Sequence, residues 1–121
     1  MTLIKYIATF LFLIISTISA KENSVVLIKI NSEIGPGLVP YVERGIKEAE
    51  QENASAILFE INTFGGRVDV ATQLKDLIIN STLPTIAFVN KRAISAGSLI
   101  TLSIKKNCNG SRFFNWGNNG C

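Results

Sequence analysis

A chain of 121 residues holds one domain at most, since ordinary domains run to about 100 to 200 residues. With 47% hydrophobic and only 17% charged residues it is too apolar to stay disordered, so it folds, enters a membrane, or divides between the two. It contains no histidine, which excludes from this chain a Ser-His-Asp or Cys-His nucleophile pair, a His-ligated zinc and an imidazole proton shuttle.

Acid-base chemistry therefore falls to Lys, Asp, Glu or Tyr. The formal charge of +3 is unevenly spread: residues 105 to 121 hold Lys105, Lys106 and Arg112 without an acid, while residues 21 to 104 carry eight bases and nine acids. A nucleic-acid partner calls for basic residues gathered on one face or stripe, and the body of the chain offers none, so none is expected.

Lys5 precedes an uncharged run, Tyr6 to Ala20, with the apolar centre Ile7 to Ile15, small residues, and then Lys21-Glu22-Asn23. This is the three-part layout of a secretory signal. The run is 15 residues long where a spanning helix wants about 20, so residues 1–20 read as a signal peptide removed after Ala20, with an uncleaved membrane anchor or a buried core helix as the alternatives. Either way the remainder is expected to be exported and membrane-associated, on the extracytoplasmic side.

Three short runs rich in β-branched residues, Val25 to Ile30, Ala56 to Ile61 and Thr85 to Val89, read as buried strands. Between the first two, Leu38, Val42, Ile46 and Ala49 recur on one helical face, which predicts a helix over about Pro36 to Glu52. Val70, Leu74, Leu77 and Ile78 predict a second helix over Val68 to Asn80, stopped by Ser81 and Pro84. A third is expected to begin near Ser95 and run through Leu99 and Leu102. The strand spacing of about 30 residues is that of βαβ units, so residues 21–106 are expected to form an α/β domain with a mostly parallel sheet and right-handed crossovers.

In such sheets the loops at the carboxyl ends of the strands gather ligand-binding groups. Two stand out: Asn62-Thr63-Phe64-Gly65-Gly66-Arg67, and Asn90-Lys91-Arg92-Ala93-Ile94-Ser95-Ala96-Gly97. The glycine pair permits positive φ and close backbone approach, leaving N–H groups free for an anion or oxyanion; a simple tight turn would look the same. Ser95 falls at a strand-to-helix turn beside the small Ala96 and Gly97, a setting that suits a nucleophile and equally suits a helix N-cap. The pattern is not Gly-x-Ser-x-Gly, so no α/β-hydrolase elbow is indicated. Taken together, adjacent parallel strands would bring the Gly65, Gly66 and Ala96 amides around one point above Ser95, as a tetrahedral oxyanion requires.

From Val25 to Lys106, through Pro36-Gly37-Leu38, Tyr41-Val42-Glu43-Arg44, Glu60 to Asp69, Pro84 to Asn90 and Arg92-Ala93-Ile94-Ser95-Ala96-Gly97-Ser98, the sequence resembles the protease domain of NfeD-type membrane serine proteases of the ClpP class. The resemblance implies a ClpP/crotonase-like fold with Ser95 as nucleophile and Gly65, Gly66 and Ala96 as the oxyanion and substrate-binding site. It implies a Ser-Lys dyad and, as substrates, apolar segments of membrane-associated proteins such as stomatin homologues, with homo-oligomerisation left open. Family members usually carry Asp and Pro where this chain has Asn62 and Phe64. They also carry the lysine base roughly 40 residues after the serine, whereas this chain ends 26 residues after Ser95. Lys91, Lys105 and Lys106 read as surface charges rather than as that base, because a lysine base needs burial in an apolar site.

Residues 107–121 show neither strand alternation nor helical period. If one adenine were surplus in the codons of Lys105-Lys106-Asn107, a permitted alternative frame reads Ile-Val-Met-Ala-Pro-Gly, which resembles the family's continuation. The tail is therefore expected to be frameshift-derived, the protease domain incomplete and inactive, and the third helix without a following strand; no structural disulfide between Cys108 and Cys121 is expected. No metal or organic cofactor is expected, for want of histidines, ligand-spaced cysteines or a phosphate-loop lysine. A non-catalytic exported binding module built on the Gly65-Gly66 loop is the alternative from another class.

Overall fold

The computed structural model describes residues 1–7 and 23–109, with the side chains of 106–109 left aside. A short helix, α1, occupies residues 2–7. The apolar centre of the expected signal segment, the proposed cut after Ala20 and the Cys108–Cys121 question lie outside what is described. Among the described residues no helix is long and apolar enough to cross a membrane.

The body alternates β1 (Val25–Ile30), α2 (Leu38–Gln51), β2 (Ala56–Thr63), α3 (Val68–Asn80), β3 (Thr85–Ala93), α4 (Ala96–Ser103) and β4 (Lys106–Asn109). The strands form one parallel sheet in the order β1-β2-β3-β4. The α/β reading holds, and α3 has the bounds its apolar repeat predicts. Helix α2 stops where Asn53 turns to φ 53° and Ala54 N–H bonds Ala49 O at 3.0 Å, closing the carbonyl end with a left-handed residue.

Two expectations need correction. The third helix does have a following strand: β4 pairs with Ile86 to Val89 of β3. A parallel ladder is made by backbone groups, and the open edge of β3 accepts them without an alternating side-chain pattern. Helix α4 ends at Ser103, and Lys106 begins β4. The second correction concerns burial. β1 is buried on one face only, with Val25 and Leu27 exposed, because the helices cover a single side of the sheet.

On that covered side Ile28, Phe59 and Ala87 lie in register across three strands, as do Ile30, Ile61 and Val89. Val42, Ile46 and Ala49 of α2, Val70, Leu74 and Ile78 of α3 and Ile100 of α4 complete one continuous core. Burying side chains of this size contributes about 1.5 to 3 kcal/mol each, which fixes the strand ends and hence the loops that follow them.

Near its end the β2–β3 ladder slips. Ile61 pairs with Val89 but Thr63 pairs with Ala93, so β3 spends four residues where β2 spends two. The strand thus runs on to Ala93, further than its apolar run suggests, and the surplus of this bulge carries Asn90, Lys91 and Arg92 out of the ladder.

Candidate active site

Ser95 follows immediately upon that re-paired strand. Ile94 N–H donates to Thr63 O at 3.1 Å, and Ser98 Oγ donates to Ala93 O at 2.8 Å, so both sides of the turn are tied down. Between them Ser95 takes φ 55°, ψ −122°, a region that non-glycine residues rarely enter. Such a conformation costs about 1 to 3 kcal/mol and persists only where its surroundings over-determine it. The N-cap alternative fails here: Ser95 stands at the N-cap position but makes no side-chain capping bond, and the residue is exposed. A sharp, strained strand-to-helix turn thus forms without the full Gly-x-Ser-x-Gly pattern: Ala93 stands at its first glycine position, Gly97 keeps the second, and Gly65 supplies clearance from the neighbouring loop.

The glycine loop lies against this turn. A methyl group placed on Gly65, whose φ is 111°, would stand 2.9 Å from Ser95 Cβ, 2.8 Å from Ile94 O and 3.4 Å from Ala96 N. Gly66, at φ 152°, is held from the other side by a parallel bridge to Ile34, in which Ile34 N–H donates to Gly65 O and Arg67 N–H to Ile34 O, both at 2.9 Å. In that bridge Gly66's own N–H faces away from Ile34. Neither it nor the Ala96 N–H at the start of α4 has an acceptor among the described residues. The Ala96 N–H adjoins Ser95 at the start of α4, and the Gly66 N–H follows the Gly65 that packs on Ser95, so both unsatisfied donors belong to the two loops that meet at this serine. The structure therefore brings Ser95, Gly65, Gly66 and Ala96 together.

Sequence reasoning missed Thr63. Its side chain is buried, with Oγ1 accepting from Gly65 N–H at 3.0 Å and donating to Gly65 O at 3.3 Å. Its carbonyl holds Ile94, and its methyl fills the space left by Gly97, where an added Cβ would lie 2.6 Å from it. One residue thus grips both loops.

Beside the glycines opens a groove of about 560 Å³ across the carboxyl ends of β1, β2 and β3, lined by Asn31 to Glu33, Asn62 to Gly66, Lys91 and Arg92. Ser95 does not line it; Gly65, which does, is its neighbour. Phe64 is 72% exposed and carries the Arg92 guanidinium 4.2 Å above its ring centroid. Arg67 is engaged elsewhere, donating through Nε and Nη2 to Asp69 at 3.0 and 2.6 Å. No lysine reaches Ser95 Oγ among the described residues: Lys91 lies exposed along the groove, and Lys105 is exposed beyond α4. Nor do those residues include a cluster of three or more metal-ligating side chains.

The family description "NfeD1b, N-terminal domain" matches residues 24–108. The chain belongs to this family. It is 39% identical over 83 residues to membrane protein NfeD1b of Bacillus subtilis (strain 168), covering 69% of this chain and 19% of that protein. To membrane-bound protease PH1510 of Pyrococcus horikoshii it is 37% identical over 95 residues, covering 76% of this chain and 21% of that protein. The chain thus spans about one fifth of the length of these curated relatives. Among solved structures, a lysine-to-alanine variant of the 1510-N membrane-bound stomatin-specific protease in complex with a substrate peptide superposes with a TM-score of 0.68 at 31% identity, over 74% of this chain and 42% of that one. ClpP1 from Listeria monocytogenes, at 24% identity, gives a TM-score of 0.61 over 64% of this chain and 46% of that one, a likeness of fold alone. This NfeD1b-family chain therefore has the ClpP-like α/β fold.

Proposed function

We propose that the chain carries the nucleophile and oxyanion half of a serine endopeptidase of the Ser-Lys type. Ser95 is the nucleophile, the Gly66 and Ala96 N–H groups receive the oxyanion, and Gly65 grants the close approach between them. The observation that carries this reading is the strained Ser95 turn pressed against Gly65. A strained, exposed serine facing unsatisfied backbone donors is the geometry acyl transfer needs. Likeness to a stomatin-specific protease supports segments of membrane-associated proteins as substrates, reached on the extracytoplasmic side after export by residues 1–20.

The same reading holds the chain by itself to be a poor peptidase. With no base beside it among the described residues, Ser95 would stay a protonated, weakly nucleophilic alcohol at neutral pH. The frameshift account of residues 107–121 belongs to this proposal, and the nucleotides encoding Lys105 to Asn107 test it: a run of adenines is expected, and mixed codons would refute it.

Labelling with a serine-directed phosphonate tests the nucleophile. Slow modification, abolished by Ser95→Ala, is expected; modification that survives Ser95→Ala would refute the assignment. That no base stands beside Ser95 among the described residues favours a second reading, an exported peptide-binding module without catalysis. Peptide binding that persists in Ser95→Ala and fails in Gly65→Ala, with no phosphonate adduct on the folded wild type, distinguishes it.

A further inference from the structure

The groove beside Ser95 has an uneven electrostatic lining. On the β3 side stand Lys91 and Arg92, carried there by the ladder slip; on the β1 side stands Glu33, with the neutral Asn62 between. No ion pair joins the two walls among the described residues, and neither Lys91 nor Arg92 has a carboxylate partner there. The contrast with Arg67, fully engaged by Asp69, is sharp. Arg92 also has a neighbour in the groove: its guanidinium carbon lies 4.2 Å over the centroid of the Phe64 ring, a cation–π contact that consumes none of its N–H donors.

We infer that this groove selects a peptide with an acidic side chain close to the bond presented to Ser95, with Arg92 and Lys91 as the residues that determine the selection. The inference rests on the peptide-binding part of the proposed function. A carboxylate matches the guanidinium fork in two parallel hydrogen bonds, and charge-assisted bonds of this kind are about twice as strong as neutral ones. Because Arg92 already packs against the Phe64 ring, less side-chain freedom is lost when the carboxylate arrives than for an arginine without such a contact. Since Gly65 both lines the groove and adjoins Ser95, a carboxylate held at Arg92 lies within a few residues of the reacting carbonyl. A basic peptide residue in the same place would meet two cations, with the groove's acid, Glu33, on the β1 side.

The test uses fluorescein-labelled octapeptides of Leu and Ala in which a single Glu, Gln or Lys is moved through the inner positions. They are titrated by anisotropy with the full chain in non-ionic detergent, in the Ser95→Ala background so that no step depends on catalysis. At one position the Glu peptide is expected to bind at least about five-fold tighter than its Gln counterpart, and the Lys peptide more weakly than either. Arg92→Gln with Lys91→Gln is expected to bring Glu and Gln to within about two-fold while the Gln affinity is kept, and Phe64→Leu to reduce the preference in part. Raising salt from about 50 to about 500 mM weakens it in the wild-type groove. Equal binding of Glu and Gln at every position, an undiminished preference in the double variant, or no binding of any peptide overturns the inference. Phosphonate labelling is read separately: a Glu preference without a Ser95 adduct sinks the peptidase reading and leaves this one standing, and an adduct without the preference does the reverse.

Discussion

Replacing Gly65 by alanine puts the site's geometry under direct strain. The backbone there holds φ 111°, which an L-residue with a Cβ rarely adopts, and the new methyl would meet Ile94 O at 2.8 Å and Ser95 Cβ at 2.9 Å. The conformational cost is about 1 to 3 kcal/mol and the overpacking cost another 1 to 3, so Gly65→Ala is expected to destabilise by about 2 to 6 kcal/mol. For a domain of this size each kcal/mol moves the melting temperature by about 4 to 8 °C, so a fall of at least about 8 °C is predicted in thermal unfolding followed by circular dichroism. Gly37→Ala is the control. Gly37 has φ −64° and open space around its Cα, so that variant should melt at or slightly above the wild type. The methyl at Gly65 also crowds Ala96 N, 3.4 Å away, so phosphonate labelling of Ser95 should vanish even well below the melting temperature. If Gly65→Ala melts like the control and still takes the label, the apposition of the two loops is wrong and the oxyanion assignment goes with it.

Ser95→Gly should raise stability by about 1 kcal/mol, since relief of the φ 55° strain outweighs the extra unfolded-state freedom of glycine; unfolding in urea measures it, and a loss would mean the turn is unstrained. Thr63→Val keeps the buried shape but leaves Gly65 N–H without Oγ1, at about 1 to 3 kcal/mol, whereas Thr63→Ser keeps the bond and loses only the methyl against Gly97; the label rate should recover in Ser but not in Val. Glu50 accepts from Thr82 N–H at 3.0 Å and Thr82 Oγ1 at 2.8 Å, which together hold its carboxyl below the ordinary 4.5, the backbone bond more than the hydroxyl. A depressed folded pKa contributes stability that is present above 4.5 and lost as pH falls through the folded value. Glu50→Gln should therefore flatten the acid side of a melting-temperature profile below that pH and change the neutral side little; an unchanged acid slope would place the transition on other carboxylates.

The regular elements were legible because burial imposes a period. The four-four-three spacing of Leu38, Val42, Ile46 and Ala49 and the apolar runs at Val25, Ala56 and Thr85 answer to one covered sheet face, and the helices and strands stand where that demands. What was not legible is tertiary in origin. The strain at Ser95 arises where Thr63 O holds Ile94, a contact between the last residue of β2 and the residue after β3, so an N-cap and a nucleophile turn read alike in one dimension. Thr63 itself looked like an ordinary loop residue. Its signal was local all the same: a threonine two residues before a glycine can bond that glycine's N–H, a recurrent turn-forming contact. β4 escaped notice because pairing at a sheet edge is made by the backbone, and its sequence carries no alternation.

The ladder slip between β2 and β3 links these features into one device. Had β3 continued in register beyond Val89, residue 91 rather than 93 would have faced Thr63, and Ser95 would have stood two residues further along, away from Gly65. By spending two extra residues, β3 returns to Thr63 at Ala93, so that Ile94 can bond Thr63 O and Ser95 must turn sharply to enter α4. The same surplus sets Lys91 and Arg92 on the rim of the groove. Strained turn and cationic wall are thus two consequences of one irregularity. The strain at Ser95 is sustained because both loops hang on the buried Thr63, whose position is fixed by the core beneath it. Any change that restores the regular register should lose the serine geometry and the groove's charge together, since neither has an independent support.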